Sequence, residues 1–129
     1  MNALRIILTV LGLLVLVSSA QGKYSGGSGT AEDPYQISTA ADMNAIGTDS
    51  NDWDKYFVVT NDIDMSSIPG TAYNSIYPFT GVFDGNNHTI SNFSYTPAIG
   101  GGGLISNVDG GVVKNLGLID PNVDADCWL

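Results

Sequence analysis

The chain is short of nearly every residue that cross-linking or catalysis draws on. Cysteine occurs once, at Cys127, so no internal disulfide can form and stability has to come from packing. Histidine also occurs once, at His88, where the run Asn87-His88-Thr89 reads as a turn and not as a ligand or base. Only four basic residues face thirteen acidic ones, and one of the four, Arg5, sits in the amino-terminal leader. The remaining Lys23, Lys55 and Lys114 form no patch, which argues against a nucleic-acid or anionic-membrane surface. A lyase acting on a polyuronate would want Arg or Lys to neutralise the substrate carboxylate, and this scatter of lysines does not offer that. Long apolar runs are equally scarce: residues 6–17 form the one instance.

That run carries its own meaning. Arg5 precedes it and Ser18-Ser19-Ala20 follows, the layout of a secretory signal peptide over residues 1–20, cleaved after Ala20 or Gly22. Twelve apolar residues fall short of the roughly 20 that a bilayer span requires. The expectation is export to the cell surface or medium, with no membrane span left after cleavage.

What the remainder does contain is a repeat. Residues 81–93 read GVFDGNNHTISNF and residues 103–116 read GLISNVDGGVVKNL. With one extra residue in the central turn, Gly81 aligns with Gly103, Phe83 with Ile105, Ile90 with Val113 and Asn92 with Asn115. The offset is 22 residues before the turn and 23 after it. A period in the twenties marks stacked units that bury apolar faces only against their neighbours. Each unit is rich in β-branched and aromatic residues, so each reads as strand, turn, strand. In both copies the apolar parity flips at an Asn. A corner at Asn92 and Asn115 resolves the flip, because Asn tolerates the left-handed backbone of a sharp bend. Stacked units would set one Asn above the other, amide to amide, and Gly81, Gly103, Asn92 and Asn115 become the structural residues of the repeat.

Upstream, residues 21–33 are Gly/Ser-rich and read as a flexible lead-in. Residues 34–47 read as an amino-terminal cap: a short strand at 34–37, then a helix opened by Thr39 three residues before Asp42 and stopped by Gly47. Met43 and Ile46, with Ala40, would lay its apolar face over the first strands. A strand follows at 56–65, then an irregular loop at 66–78. The domain at 34–129 is expected to be all-β, a coil of about three rungs. Nothing after Leu118 resembles a polar cap, and that predicts a piece of a longer protein.

The runs Gly103-Leu104-Ile105 and Gly111-Val112-Val113-Lys114-Asn115-Leu116-Gly117-Leu118 resemble the GLUG motif, a glycine- and leucine-rich repeat of secreted and surface bacterial proteins. The lead-in at 29–37 and the run at 79–90 resemble the amino-terminal regions of such proteins. Ile105-Ser106 departs from the usual aromatic–Gly pair. The resemblance implies a right-handed parallel β-helix of adhesin-like or scaffold type, with carbohydrate or a cell-surface protein as partner and further rungs of the same chain beyond. It defines no catalytic residues.

Two other chemistries compete with that reading. Asp62 and Asp64 share one strand face and Asp84 lies on a neighbouring repeat, so a pair of carboxylates for glycoside hydrolysis is conceivable. A carbohydrate-active enzyme with its catalytic rungs beyond residue 129 is the corresponding alternative function. Asp49, Asn51, Asp52 and Asp54 could offer oxygens to calcium, and a calcium-stabilised binding module is the alternative function that goes with them. They do not form an EF-hand, since Trp53 stands at the fifth position and Asp54 replaces the sixth-position Gly. For both groups the plain expectation is a solvated acidic face with no cofactor and no catalysis.

Overall fold

The computed structural model describes residues 22–125; the leader and Cys127 lie outside them. The described residues hold nine short strands and one α-helix. They run β1 (Tyr35–Ile37), α1 (Ala40–Ile46), β2 (Tyr56–Val59), β3 (Ile63–Asp64), β4 (Val82–Asp84), β5 (Thr89–Ser91), β6 (Ser94–Tyr95), β7 (Val112–Lys114), β8 (Gly117–Ile119) and β9 (Asn122–Val123). All pairing is parallel. The sheets have the orders β1-β2-β4-β7, β3-β5-β8 and β6-β9.

The all-β, right-handed β-helix expected from the sequence is corrected here. The strands form three small parallel sheets beside one helix, and no closed solenoid is found among the described residues. The physical reason lies in residues 66–80 and 96–110. There only two isolated bridges form, Ile76 with Ile105 and Phe79 with Val108. Pro69 and Pro78 lack the N–H a ladder needs, and Gly100 to Gly103 contribute no side chains to pack, so no continuous ladder closes that side. The count of about three rungs also changes, since the largest sheet has four strands.

The register of the repeat differs as well. Phe57, Phe83 and Val113 are successive partners, as are Ile63, Ile90 and Leu118. The spacing is therefore 26 and 30 residues in the first column, and 27 and 28 in the second. Gly103 does not lie over Gly81: its carbonyl accepts from the Ser75 hydroxyl at 2.6 Å. The counterpart of Gly81-Val82 is Gly111-Val112, joined by a bond from the Val112 N–H to the Gly81 carbonyl at 2.9 Å. The loop at 66–80 is matched by an equally irregular stretch at 96–110, which an alignment of strands alone passes over.

Strand 56–65 is broken into β2 and β3, yet its apolar set is buried as one: Phe57, Val59, Ile63 and Met65. Tilted aromatic pairs join successive layers, with Tyr35 to Phe57 at 5.6 Å and Phe57 to Phe83 at 6.3 Å between ring centroids. A second group, Tyr73 edge-on to Phe93 at 4.8 Å, fills the far side. The Tyr73 hydroxyl donates to the Leu104 carbonyl at 2.8 Å, which satisfies a phenol that burial holds well above its ordinary pKa.

The amino-terminal end is covered twice over. Thr39 caps α1 by accepting from the Asp42 N–H at 3.0 Å, and the Asp42 carboxylate reaches back to the Ser38 N–H at 3.0 Å. Met43 and Ile46 are thereby set down, fully buried, on the first layer. The free edge of β1 is taken by the lead-in, with Gln36 donating to the Gly26 carbonyl at 2.8 Å and Ser25 donating to the Gln36 carbonyl at 3.0 Å. None of the helices among the described residues is long and apolar enough to cross a membrane.

Candidate functional site

The acidic turn at 49–54 is organised around a lysine. Asp49 accepts from the Asn51 N–H at 3.1 Å and opens a single 3-10 turn over Ser50–Asp52. Lys23, brought in by the lead-in, places its ammonium 2.6 Å from Asp49 and 2.5 Å from Asp52. Asp52 is only 4% exposed, and it also accepts from the Tyr24 hydroxyl at 2.7 Å. A buried carboxylate is tolerable when paired and hydrogen-bonded in this way. Hydrogen bonds that Lys23 donates to both carboxylates raise its pKa, and the bond from Lys23 lowers that of Asp49. Burial, with the Asp52 bond, pushes the Tyr24 phenol up. Asp54 turns elsewhere, 2.6 Å from Lys55. The three carboxylates suggested for calcium are thus parted between two lysines, and the Asn51 amide donates to Asp49. Among the described residues no group of three or more His, Cys, Asp or Glu is placed to hold a metal ion.

Beside this turn lies an open groove of about 630 Å³ lined by Ser50, Asn51, Trp53, Asp54, Lys55, Pro78 and Thr80. The Trp53 indole is fixed by its N–H donating to the Ile46 carbonyl at 2.8 Å, while its own carbonyl accepts from the Thr80 and Gly81 N–H groups at 3.0 and 2.9 Å. A partly buried indole, an amide, hydroxyls and an internally neutralised Asp–Lys pair therefore share one wall. Sequence reading missed this groove, because its two halves are separated by the whole of β2 and β3. The one available hint was Trp53 inside a polar run.

The corners form a second constellation. Asn92 and Asn115 both adopt left-handed backbone, at φ 55° and 54°. Their amides do not meet each other. The Asn92 amide donates to Asp64 at 3.0 Å and the Asn115 amide donates to Asp84 at 3.0 Å, each acid belonging to the preceding layer. Each acid also closes its own turn, accepting from the Ser66 N–H at 2.9 Å or the Asn86 N–H at 2.9 Å. Those bonds, the Asn amide foremost, hold both carboxyls below the ordinary range. Asp62 is held low in the same manner by the Thr89 N–H at 3.0 Å and by His88, whose Nδ1 lies 3.2 Å away. Asp120, at φ 51°, follows β8 as Asn92 follows β5, a third corner that sequence reading did not pick out. Of the two structural glycines, Gly81 is hemmed in, since an added Cβ would stand 2.1 Å from the Lys55 carbonyl. Gly103 has nothing within 4 Å.

No family model matches this chain. It is similar to halomucin of Haloquadratum walsbyi, with 36% identity over 108 residues that make up 78% of this chain. The chain spans about 1% of the length of that curated relative. No solved structure matches. The likeness to halomucin fits an exported protein of the surface or medium.

Proposed function

We propose that this chain is an exported, non-enzymatic binding or scaffold segment of a surface or secreted protein. One observation carries the reading: the acids best placed for hydrolysis are committed to holding layers together. A general acid needs a carboxyl whose pKa is raised toward the working pH, and Asp62, Asp64 and Asp84 are all driven the other way. Each has its donors from an adjacent layer or turn, which is what a structural carboxylate does. The GLUG-like runs and the signal-like leader support the same role.

For a ligand, the groove at Trp53 suits a neutral saccharide. A sugar ring can lie against the indole while its hydroxyls meet Asn51, Ser50 and the Asp54–Lys55 pair. The chain's net charge of −9 disfavours polyanions. In affinity electrophoresis of the chain through gels holding neutral polysaccharides, retardation is expected and should be lost in Trp53→Ala. A circular dichroism spectrum would show that the variant is folded. Equal migration in every gel would refute the saccharide reading. Release of reducing ends that disappears in Asp84→Asn would refute the non-enzymatic one.

A further inference from the structure

Asn-X-Ser/Thr, with X other than Pro, is the acceptor sequence for N-linked oligosaccharide, a bulky modification that belongs on the surface of an exported protein. The chain contains it at Asn87-His88-Thr89 and again at Asn92-Phe93-Ser94. The fold treats the two asparagines differently. Asn87 stands in the tight turn between β4 and β5, exposed and with left-handed backbone at φ 62°. Backbone bonds hold it there: its own N–H donates to the Asn115 carbonyl at 3.0 Å, and the His88 N–H closes the turn on the Gly85 carbonyl at 2.8 Å. No side-chain bond of Asn87 is found among the described residues, so the amide is free to carry a substituent. The turn has a layer on each side, since the neighbouring Asn86 amide donates to the Val59 carbonyl at 3.4 Å. Its exposure is therefore a property of the stack.

Asn92 is committed. Its Nδ2, the atom that would take a sugar, donates to Asp64 at 3.0 Å, and its N–H donates to the Ile119 carbonyl at 3.1 Å. Phe93, in the middle of the acceptor sequence, is buried in the core, and Ser94 is held in β6 against β9. A transferase must hold its acceptor tripeptide in an extended groove of its own, and here that would pull Phe93 out of the core. In the first sequence His88 and Thr89 are both only partly buried.

We infer that Asn87 is the attachment site of an N-linked oligosaccharide and that Asn92, despite its matching sequence, is not. The inference rests on the export reading, because the modification is made on the far side of the export membrane. The donor is a lipid-linked oligosaccharide phosphate and the catalyst an oligosaccharyltransferase. A bond forms between the Asn87 Nδ2 and the anomeric carbon of the first sugar, and the anomeric carbon–oxygen bond breaks. The lipid phosphate leaves with that electron pair, and the amide nitrogen gives up one proton to a base of the transferase. Thr80, which lines the Trp53 groove, precedes β4, whereas Asn87 follows it. A glycan on Asn87 thus projects from the other end of the strand and leaves the groove open.

The test is site-mapped mass spectrometry of the full protein recovered from the surface or medium of the cells that make it. Chymotrypsin, cutting after Phe83 and Phe93, releases residues 84–93 with both asparagines in one peptide. Electron-transfer fragmentation should place a saccharide mass on Asn87 and leave Asn92 bare. Asn87→Gln should abolish it, as should Thr89→Val, which keeps the shape of the side chain and removes only the hydroxyl. Thr89→Ser should retain it, and both variants that lose it should keep the parent circular dichroism spectrum. An exported protein with Asn87 bare would overturn this inference and leave the export reading standing. So would a saccharide on Asn92, or one that survives Thr89→Val. A protein retained inside the cell would overturn both.

Discussion

The two ends of the described residues are both edges of the same stacked parallel strands and finish differently. At the amino-terminal end, Ile37 lies beneath Met43 and Ile46 and all three are fully buried. At the other end of the described residues, Val113 and Leu118 pair over the fully buried Phe83 and Ile90, yet are themselves 40% and 47% exposed. The difference is not one of polarity, since all are apolar. It comes from whether another element lies on top. Side-chain identity sets what a position can bury, and the neighbouring layer sets how much it does bury.

The strongest test of that contrast is a matched pair of truncations. Phe83→Ala should cost about 3–5 kcal/mol, the usual range for emptying a buried aromatic site. Val113→Ala, one layer up in the same column, should cost under about 1 kcal/mol, since much of its surface is already in water. Chemical denaturation of both variants measures the gap. Equal losses would mean that the outer layer is packed as tightly as the inner one.

A second pair separates two glycines that the sequence aligned. Gly81→Ala should destabilise by about 1–3 kcal/mol, because its Cβ would meet backbone that has no room to move. Gly103→Ala should be close to neutral, with nothing near the added methyl. Thermal midpoints that fall together would contradict the register of Gly81 with Gly111.

The corners come next in size. Asn115→Leu should lose about 1–2 kcal/mol, from the missing bond to Asp84 and from strain at positive φ. Asn115→Gly relieves the strain but not the lost bond, so it should lose less. Asn92 should behave in parallel through Asp64. Midpoints for Leu and Gly variants that coincide would show that left-handed strain contributes nothing.

The smallest effect sets the corners against the covered end by pH. Asp64 and Asp84 have folded pKa values below the ordinary 3.8. The unfolded chain then binds protons more readily, so their stabilisation is intact above that value and is lost as pH falls through the folded pKa. Lys23 and Tyr24 are shifted upward from 10.5 and 10.0, so the clamp on Asp52 is intact below those values and fails as pH rises beyond them. Thermal midpoints followed across pH should fall on both sides. The acid limb alone should flatten in an Asp64→Asn, Asp84→Asn double variant. An alkaline limb that also flattened would mean the two regions are not independent.

Several elements were legible before any coordinates. Thr39, Asp42 and Gly47 are local signals, and α1 begins and ends where they place it. The left-handed bends at Asn92 and Asn115 follow from a parity flip visible in a few residues. Periodicity also marked Phe57, Val59, Ile63 and Met65 as one buried set. The sequence by itself determined these because each depends on neighbours within about one turn or one strand. Only the tertiary structure decided what meets across layers: that Asn92 and Asn115 reach Asp64 and Asp84 and not each other, that Lys23 neutralises the 49–54 turn, and that Trp53 shares a groove with Thr80. It also decided that the strands gather into three small sheets without a closed coil. Contacts between layers span some 22 to 30 residues of chain, and the irregular loops inside that distance set the register without leaving a periodic trace.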